Sequence, residues 1–317
     1  MNAEFYTGNR KKFLEKLDEG SVVLLHSGIL PVKSNAQNMH PFSVNRNFYY
    51  LTGIETENVW LVLTKTATGS AEALFIDQPD EFLIKWNGKM LTKEEASAKS
   101  GLAASAVKYM QDMDRYVAGQ LSASRMMSSV ERVYFAFDRL SMNAAPTPAE
   151  QYALRIREKF PAIEVKSCSR LLASLRAIKT PEEVACIRKA GDVTIEALRQ
   201  MLRTAKPGEF EYQWAADFEH YVARAGMRLG FTTIAAAGEN AVMLHYSDNN
   251  CPVKAGDLVL FDLGAEYGYY SSDVSRTFPV SGKYSDRQKE LYNIVLEAMD
   301  IARDKMRPGE PTRGSQQ

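Results

Sequence analysis

Two domains in tandem are what this sequence predicts: an α/β domain over residues 1–170 and an α+β domain over residues 171–317. Three observations carry that expectation. Through the first half, short apolar runs alternate with segments that have helix-start chemistry, the pattern of a mixed or parallel sheet covered by helices. Near residue 180 the pattern changes to two long amphipathic helices followed by a β-hairpin. Finally, 317 residues, 45% hydrophobic and 25% charged, supply ordinary globular composition and enough apolar material for two cores.

Charge and composition exclude several function classes. The 39 basic and 39 acidic residues cancel, so no net field favours nucleic acid or an anionic membrane. A peptide or small-molecule partner suits that balance better. No segment approaches the roughly 20 apolar residues of a membrane span. The N-terminus also lacks the apolar core of a signal peptide, so a cytoplasmic protein is expected. Cys168, Cys186 and Cys251 are odd in number, far apart and form no CxxC, which reads as reduced thiols rather than a disulfide framework or a zinc-thiolate site.

Taken in order, strands are expected at residues 21–26 (SVVLLH), 48–52 (FYYLT), 59–64 (VWLVLT), 73–76 (ALFI), 132–136 (RVYFA) and, last in this half, 163–165. Thr92 with Glu95 and Thr147 with Glu150 have capping-box form, and Pro148 occupies the first helical position of the second. His26 ends an apolar strand and reads as a partly buried, hydrogen-bonded residue. His40, beside Pro41, reads as loop; neither histidine has a second ligand at metal-binding spacing. The domain boundary is expected within residues 167–180.

A well-marked helix follows. Thr180 caps it, Pro181 sits in its first turn, Glu183 completes a capping box, and Val184, Ile187, Ile195, Leu198 and Leu202 fall near a 3.6-residue period. Lys206-Pro207-Gly208 stops it. In the next helix Phe210, Trp214, Phe218, Tyr221 and Val222 share a face that reads as core packing, Gly226 ends it, and His220 lies off that stripe in solvent. Residues 231–237 read as a strand that turns at Gly238-Glu239-Asn240 toward His245. Beyond the hairpin, Ser285 and Gln288 open another capping box, and Leu291, Ile294, Val295, Ala298 and Ile301 carry a helix to Met306, stopped by Pro308-Gly309. Residues 310–317 are polar and aperiodic.

The hairpin at residues 257–279 has two apolar arms, 258–263 and 274–280, joined by a Tyr/Gly turn at 266–270, and each arm bears a carboxylate, Asp262 and Asp273. A two-residue turn at Tyr267-Gly268 sets these Asp residues directly opposite, with Cβ atoms about 4.5–5.5 Å apart. Like charges so placed call for a shared proton or a cation between them. On spacing alone, a different register with both Asp on the surface stands as the alternative. Alternation puts Asp273, Ser275 and Thr277 on one face and Val274, Arg276 and Phe278 on the other, so Arg276 points away from the pair. His245, from the residues alone, reads more readily as structural than catalytic.

The segment GDLVLFDLGAEYGYYSSDVSRTFPVSGKYSDRQKELY (256–292) resembles the metal-binding hairpin of the peptidase family that contains aminopeptidase P (Xaa-Pro aminopeptidase) and prolidase. GENAVMLHYSDN (238–249) resembles the family segment whose His lies beside the metals. NRNFYYLTGIETENVWLVLT (45–64) is similar to the N-terminal domain shared by aminopeptidase P, prolidase and creatinase, and LRAIKTPEEVACIRKAGDVTIEAL (175–198) to the opening helix of the pita-bread catalytic domain. The resemblance implies a creatinase/prolidase-type N-terminal domain without metal ligands, which shapes substrate access and subunit contacts, followed by an incomplete pita-bread domain.

It further implies that Asp262 ligates one metal, that Asp273 bridges two, and that His245 is a neutral imidazole contacting the substrate or the tetrahedral oxyanion. Members use two divalent ions, Mn²⁺ suiting the oxygen-rich ligation, to generate a dimetal-activated hydroxide. That hydroxide releases the N-terminal residue from peptides with proline second. A homo-oligomer with a peptide substrate and no nucleic-acid or membrane partner is thus expected. The family takes three further ligands, one His and two Glu, from later strands. Here no His follows His245, and Glu290, Glu297, Asp300 and Asp304 read as a solvated helix face. The chain is therefore expected to be the N-terminal part of such an enzyme, holding two of five ligands and nearly inactive alone. Prolidase-type dipeptide cleavage and a non-catalytic peptide- or protein-binding module are the alternatives.

Overall fold

In the computed structural model, which describes residues 1–35, 38–122, 130–137, 139 and 141–309, the chain divides into two compact units, Met1–Lys179 and Thr180–Gln317. The aperiodic segment expected at 310–317 lies outside the described residues.

In the first unit a helix, α1 (Ala3–Lys16), leads into β1 (Ser21–His26), whose six residues are all buried. A short hairpin, β2 (Val32–Asn35) and β3 (Asn38–Met39), and a buried helix, α2 (Arg46–Thr52), precede β4 (Trp60–Thr66) and β5 (Gly69–Ile76). Helices α3 (Glu81–Asn87) and α4 (Lys93–Ser100), strand β6 (Val107–Tyr109), helix α5 (Met113–Leu121), strand β7 (Arg132–Phe135), helix α6 (Pro148–Lys159), strand β8 (Glu164–Ser167) and helix α7 (Ser169–Ala177) complete it. The sheet is mixed, in the order β6-β5-β4-β1-β7-β8. β1 runs antiparallel to β4 and parallel to β7, and a core of Val22, Leu24, Val62, Phe75, Val133 and Phe135 packs under α5 and α6. Both expected capping boxes form, Thr92 with Glu95 and Thr147 with Glu150.

One expected strand is a helix. Residues 48–52 belong to α2, where the Asn45 side chain accepts from the backbone N–H of Asn47 and Phe48, and Gly53 closes the helix at φ 66°. A Cβ at Gly53 would stand 2.3 Å from the Tyr6 ring, so the left-handed turn and the close approach both demand glycine there. Asn47 through Thr52 are all buried. A helix buried on nearly every side shows no amphipathic period, and its aromatic residues then imitate a strand. Arg10 of α1, with none of its surface exposed, donates from Nη1 to the carbonyls of Leu51 and Ser100 at 2.8 Å and from Nε to Glu72 at 3.1 Å. The guanidinium thus satisfies orphan carbonyls at the C-terminal ends of α2 and α4 together.

His26 is buried and hydrogen-bonded, as expected. Its Nδ1 accepts from the Gly28 N–H at 3.1 Å, its ring centroid lies 4.7 Å from that of Trp60, and Nε2 faces Asn58 Oδ1 at 3.5 Å. Burial pushes the imidazole down to about 4, against the opposing pull of Asn58 and Asp77. The unfolded chain takes up that proton near pH 6.5, so between about pH 6.5 and 4 it binds more protons than the native state, and stability falls as pH falls through this window. The whole loss comes to about 3 kcal/mol. In guanidinium titrations of the first unit followed by Trp60 emission, the midpoint should drop across that window, and His26→Gln should flatten the dependence. Equal slopes in the two chains would refute it.

In the second unit, α8 (Pro181–Thr204) and α9 (Glu211–Arg224) pack against two small sheets. The strands are β9 (Arg228–Leu229), β10 (Ile234–Ala237), β11 (Leu258–Leu263), β12 (Ala265–Tyr267), β13 (Tyr270–Ser271) and β14 (Val274–Pro279), and α10 (Asp286–Lys305) follows. Their orders are β10-β11-β14 and β13-β12-β9. Trp214 stacks on Phe261 at 5.9 Å within a core that includes Phe218, Val222, Val259 and Leu263.

Three details differ from expectation. The buried face of α8 is Glu183, Cys186, Ala190, Thr194, Ala197, Leu198 and Met201, with Ile195 exposed. Close packing of the helix on the sheet selects small residues, whereas the largest apolar ones lie at the edges of that face. Phe210 caps α9 and stacks on Tyr212 at the surface, apart from the buried Trp214 and Phe218. The strand expected from residue 231 begins only at Ile234. At the end of the unit, α10 opens on the Ser285–Gln288 capping box, and none of its residues is buried.

Candidate active site

The hairpin of β11 and β14 turns at Gly268-Tyr269, whose φ values of 56° and 67° are those of a two-residue turn with both central residues left-handed. The turn lies one residue later than expected, which moves the register by two. Asp262 therefore stands opposite Ser275 rather than Asp273. Because a strand has a period of two, the shift leaves each side chain on its expected face. Ser275 Oγ donates to Asp262 Oδ1 at 3.0 Å, which holds that carboxylate on the sheet face.

Asp273 sits just before β14, at the bend where the hairpin passes from one sheet to the other. Gly264 lies across from it. A Cβ at Gly264 would stand 2.0 Å from the Ser272 carbonyl oxygen, so only glycine allows the two backbones to come this close. From beneath, Thr194 Oγ1 and Ser272 Oγ lie 2.6 Å apart, and the Ala265 N–H donates to Thr194 Oγ1 at 2.8 Å. The bend brings the Asp273 carboxyl onto the same cleft as that of Asp262. Partial burial, then the nearby charge of Asp262 and a hydrogen bond to it, raise the Asp273 carboxyl above its usual range.

His245 follows a 3₁₀ turn at Gly238–Val242 and is exposed in a loop rather than at a strand end. It nevertheless joins the carboxyl pair: a cleft of about 440 Å³ is lined by Asp262, Asp273 and His245 together with Phe231, Thr232 and Ile234. Ile234 is paired directly with Asp262 across β10 and β11. Arg276 is outside the cleft lining and exposed, its Nη1 donating to the Ser275 carbonyl at 2.7 Å. Glu290 and Asp300 lie on α10 in ion pairs with Arg287 at 2.7 Å and Arg303 at 2.9 Å, the solvated face expected of them.

Two residues that sequence reasoning missed shape the loop around His245. Glu211, fully buried at the start of α9, accepts four hydrogen bonds: the Ala237 N–H at 2.7 Å and Asn240 Nδ2 at 2.9 Å on Oε1, and the Tyr246 hydroxyl at 2.7 Å and the Cys251 N–H at 3.0 Å on Oε2. Burial, then the bond to Glu211, raises the Tyr246 phenol above its usual range. Asn249, at φ 47°, accepts from the Ala235 N–H at 2.9 Å and donates to the Thr233 carbonyl at 2.8 Å, so its side chain stands in for a strand partner along β10. An acid in a helix's first turn and an Asn in a turn are ordinary, and no local signal separates these two from many others.

Among the described residues, no group of three or more His, Cys, Asp or Glu side chains converges on a common point. Two neighbouring carboxyls on an open sheet face are nonetheless hard oxygen donors that fit a divalent cation. Such a cation would relieve their repulsion without a shared proton.

Comparison with known proteins is consistent along the chain. Residues 6–128 match the family described as Aminopeptidase P, N-terminal domain, and residues 185–315 match Metallopeptidase family M24. Xaa-Pro aminopeptidase of Escherichia coli K12 is 31% identical over 98% of this chain and 69% of its own length. The solved structure of E. coli aminopeptidase P with the inhibitor Pro-Leu superposes with a TM-score of 0.84 at 29% identity, covering 95% of this chain and 68% of that one. The Zn-substituted E. coli enzyme in complex with product gives a TM-score of 0.85 at 29% identity, over 98% and 69% of the two chains.

Proposed function

Because the chain belongs to the aminopeptidase P family of M24 metallopeptidases, we propose that its cleft is the metal-binding part of a site that removes the N-terminal residue from peptides with proline in second place. The observation that carries this reading is the placement of Asp262, Asp273 and His245 on one cleft, with the two carboxyls in contact. Asp262 and Asp273 would hold the metal, and Mn²⁺ is an ion that suits such oxygen donors. When bound, two divalent ions supply Lewis acidity and a hydrolytic nucleophile at neutral pH.

The chain's own residues orient and bind. Ser275 fixes the Asp262 carboxylate through its hydroxyl. His245, at the open rim, donates a hydrogen bond to the scissile carbonyl and strengthens it as negative charge develops there. Phe231 and Ile234 give that side of the cleft an apolar wall for the substrate side chain. Cytoplasmic location and homo-oligomeric assembly belong to the same proposal. With no third ligand converging on the Asp pair among the described residues, the 317-residue chain by itself should hold a metal weakly and cleave Xaa-Pro peptides little or not at all.

Mn²⁺ titration followed by electron paramagnetic resonance tests the assignment. Asp262→Asn and Asp273→Asn should each weaken Mn²⁺ binding about tenfold or more, since each removes one of two charged donors. His245→Gln should leave the affinity within about twofold, as expected of a group that supplies no metal charge. Unchanged binding in both Asp variants would sink the proposal.

A further inference from the structure

We propose that Glu211 is a positioning residue for His245: its buried carboxylate gathers the chain on both sides of the histidine and so sets the imidazole over the Asp262–Asp273 pair. The inference rests on the role given to His245 above. Three observations support it. The four donors to Glu211 all come from β10 and the segment after it, two before His245 (Ala237, Asn240) and two after it (Tyr246, Cys251). Between those anchors the loop has little hold of its own, with Val242 83% and Leu244 88% exposed. Among the described residues, the His245 ring itself has no hydrogen-bond partner. The direction in which His245 points is therefore decided by where its loop is tied down, and Glu211 is the common tie.

The choice of a charged residue at this point has a physical logic. Four donors on two oxygens fill a carboxylate's acceptor capacity, and charge-assisted bonds are stronger than neutral ones. Its position at the start of α9 adds the favourable field of a helix N-terminus, which offsets part of the cost of burying the charge. Asn249 pins the same segment to the edge of β10 at Thr233 and Ala235, so the loop is clamped at two levels. A glutamine at position 211 would keep the shape but turn an NH₂ group toward two of the four donors.

Glu211→Gln in the full 317-residue chain, read by site-resolved amide exchange and by the His245 ring signal in a ¹³C-histidine-labelled sample, tests this. Exchange at the Ala237 and Cys251 amides should quicken at least about tenfold relative to the amides of Leu258–Leu263, as local opening without global unfolding requires. The His245 signal should at the same time change position as the ring leaves its place beside the Asp pair, while those of His26 and His220 stay in place. Tyr246→Phe, which removes one donor, should give a smaller change of the same kind. A variant that melts earlier but keeps the wild-type His245 signal and the wild-type relative protection would show a purely structural role and overturn the proposal.

Added Mn²⁺ separates this inference from the reading beneath it. In the wild-type chain, bound Mn²⁺ should broaden both the hairpin amides beside Asp262 and the His245 ring. In Glu211→Gln the hairpin should still broaden while the His245 effect falls severalfold. If no hairpin amide broadens in either chain, the metal assignment fails, and the exchange and ring signals still decide for or against Glu211.

Discussion

Gly264→Ala is expected to cost the second unit about 3 kcal/mol or more, at the upper end of what overpacking does. The atom in the way is the carbonyl oxygen of Ser272, 2.0 Å from where the new Cβ would stand, and backbone cannot rotate aside as a long side chain can. Relief requires separating β12 from the segment between β13 and β14 that carries Ser272, which strains the Ser272 N–H to Ala265 carbonyl bond of 3.0 Å and the Thr194 contact beneath it. Trp214 fluorescence during guanidinium unfolding reports on this unit because Trp214 stacks on Phe261 of β11. A shift of the midpoint worth less than about 1 kcal/mol would mean that the bend relaxes easily. Since the same bend sets Asp273 beside Asp262, the variant should also lose Mn²⁺ affinity to about the extent of Asp273→Asn.

Arg10→Met should destabilise the first unit by about 3–5 kcal/mol, the range for removing one partner of a buried charged cluster. Methionine keeps most of the packing, so the loss isolates the donors: Glu72 and the carbonyls of Leu51 and Ser100 are left without their shared guanidinium. Those carbonyls end α2 and α4, so both helix ends should loosen together where they meet α1. Arg10→Lys should recover only part of the loss, because a single ammonium cannot present the rigid fork that reaches all three acceptors. Thermal unfolding monitored by Trp60 measures the effect. An unchanged transition would show that water replaces the guanidinium at little cost.

Local chemistry was legible wherever the partners lie within a few residues. Each expected capping box formed, at Thr92, Thr147, Thr180 and Ser285, because a cap and its third residue need no tertiary information to find each other. The shared face of Asp262 and Asp273 was legible for the same kind of reason: strand alternation is a property of the backbone. The register was not. Gly268 can serve as the first or second central residue of a two-residue turn, and the left-handed Tyr269 is accepted only because the paired strands on either side require it.

By itself, then, the amino-acid sequence determined most of the elements and the shared face of Asp262 and Asp273, since these follow from short-range capping and strand periodicity, whereas His245 was singled out only by the family resemblance. Tertiary structure alone decided α2, the buried face of α8, the register, and the parts played by Arg10 and Glu211. A helix buried on every side has no period to read, and a closely packed helix hides small residues rather than large ones. Arg10 and Glu211 look like ordinary charged residues on helices, and what singles them out is acceptors and donors 26 to 90 positions away. Only the folded chain brings such groups within 3 Å, and only burial turns that contact into a requirement.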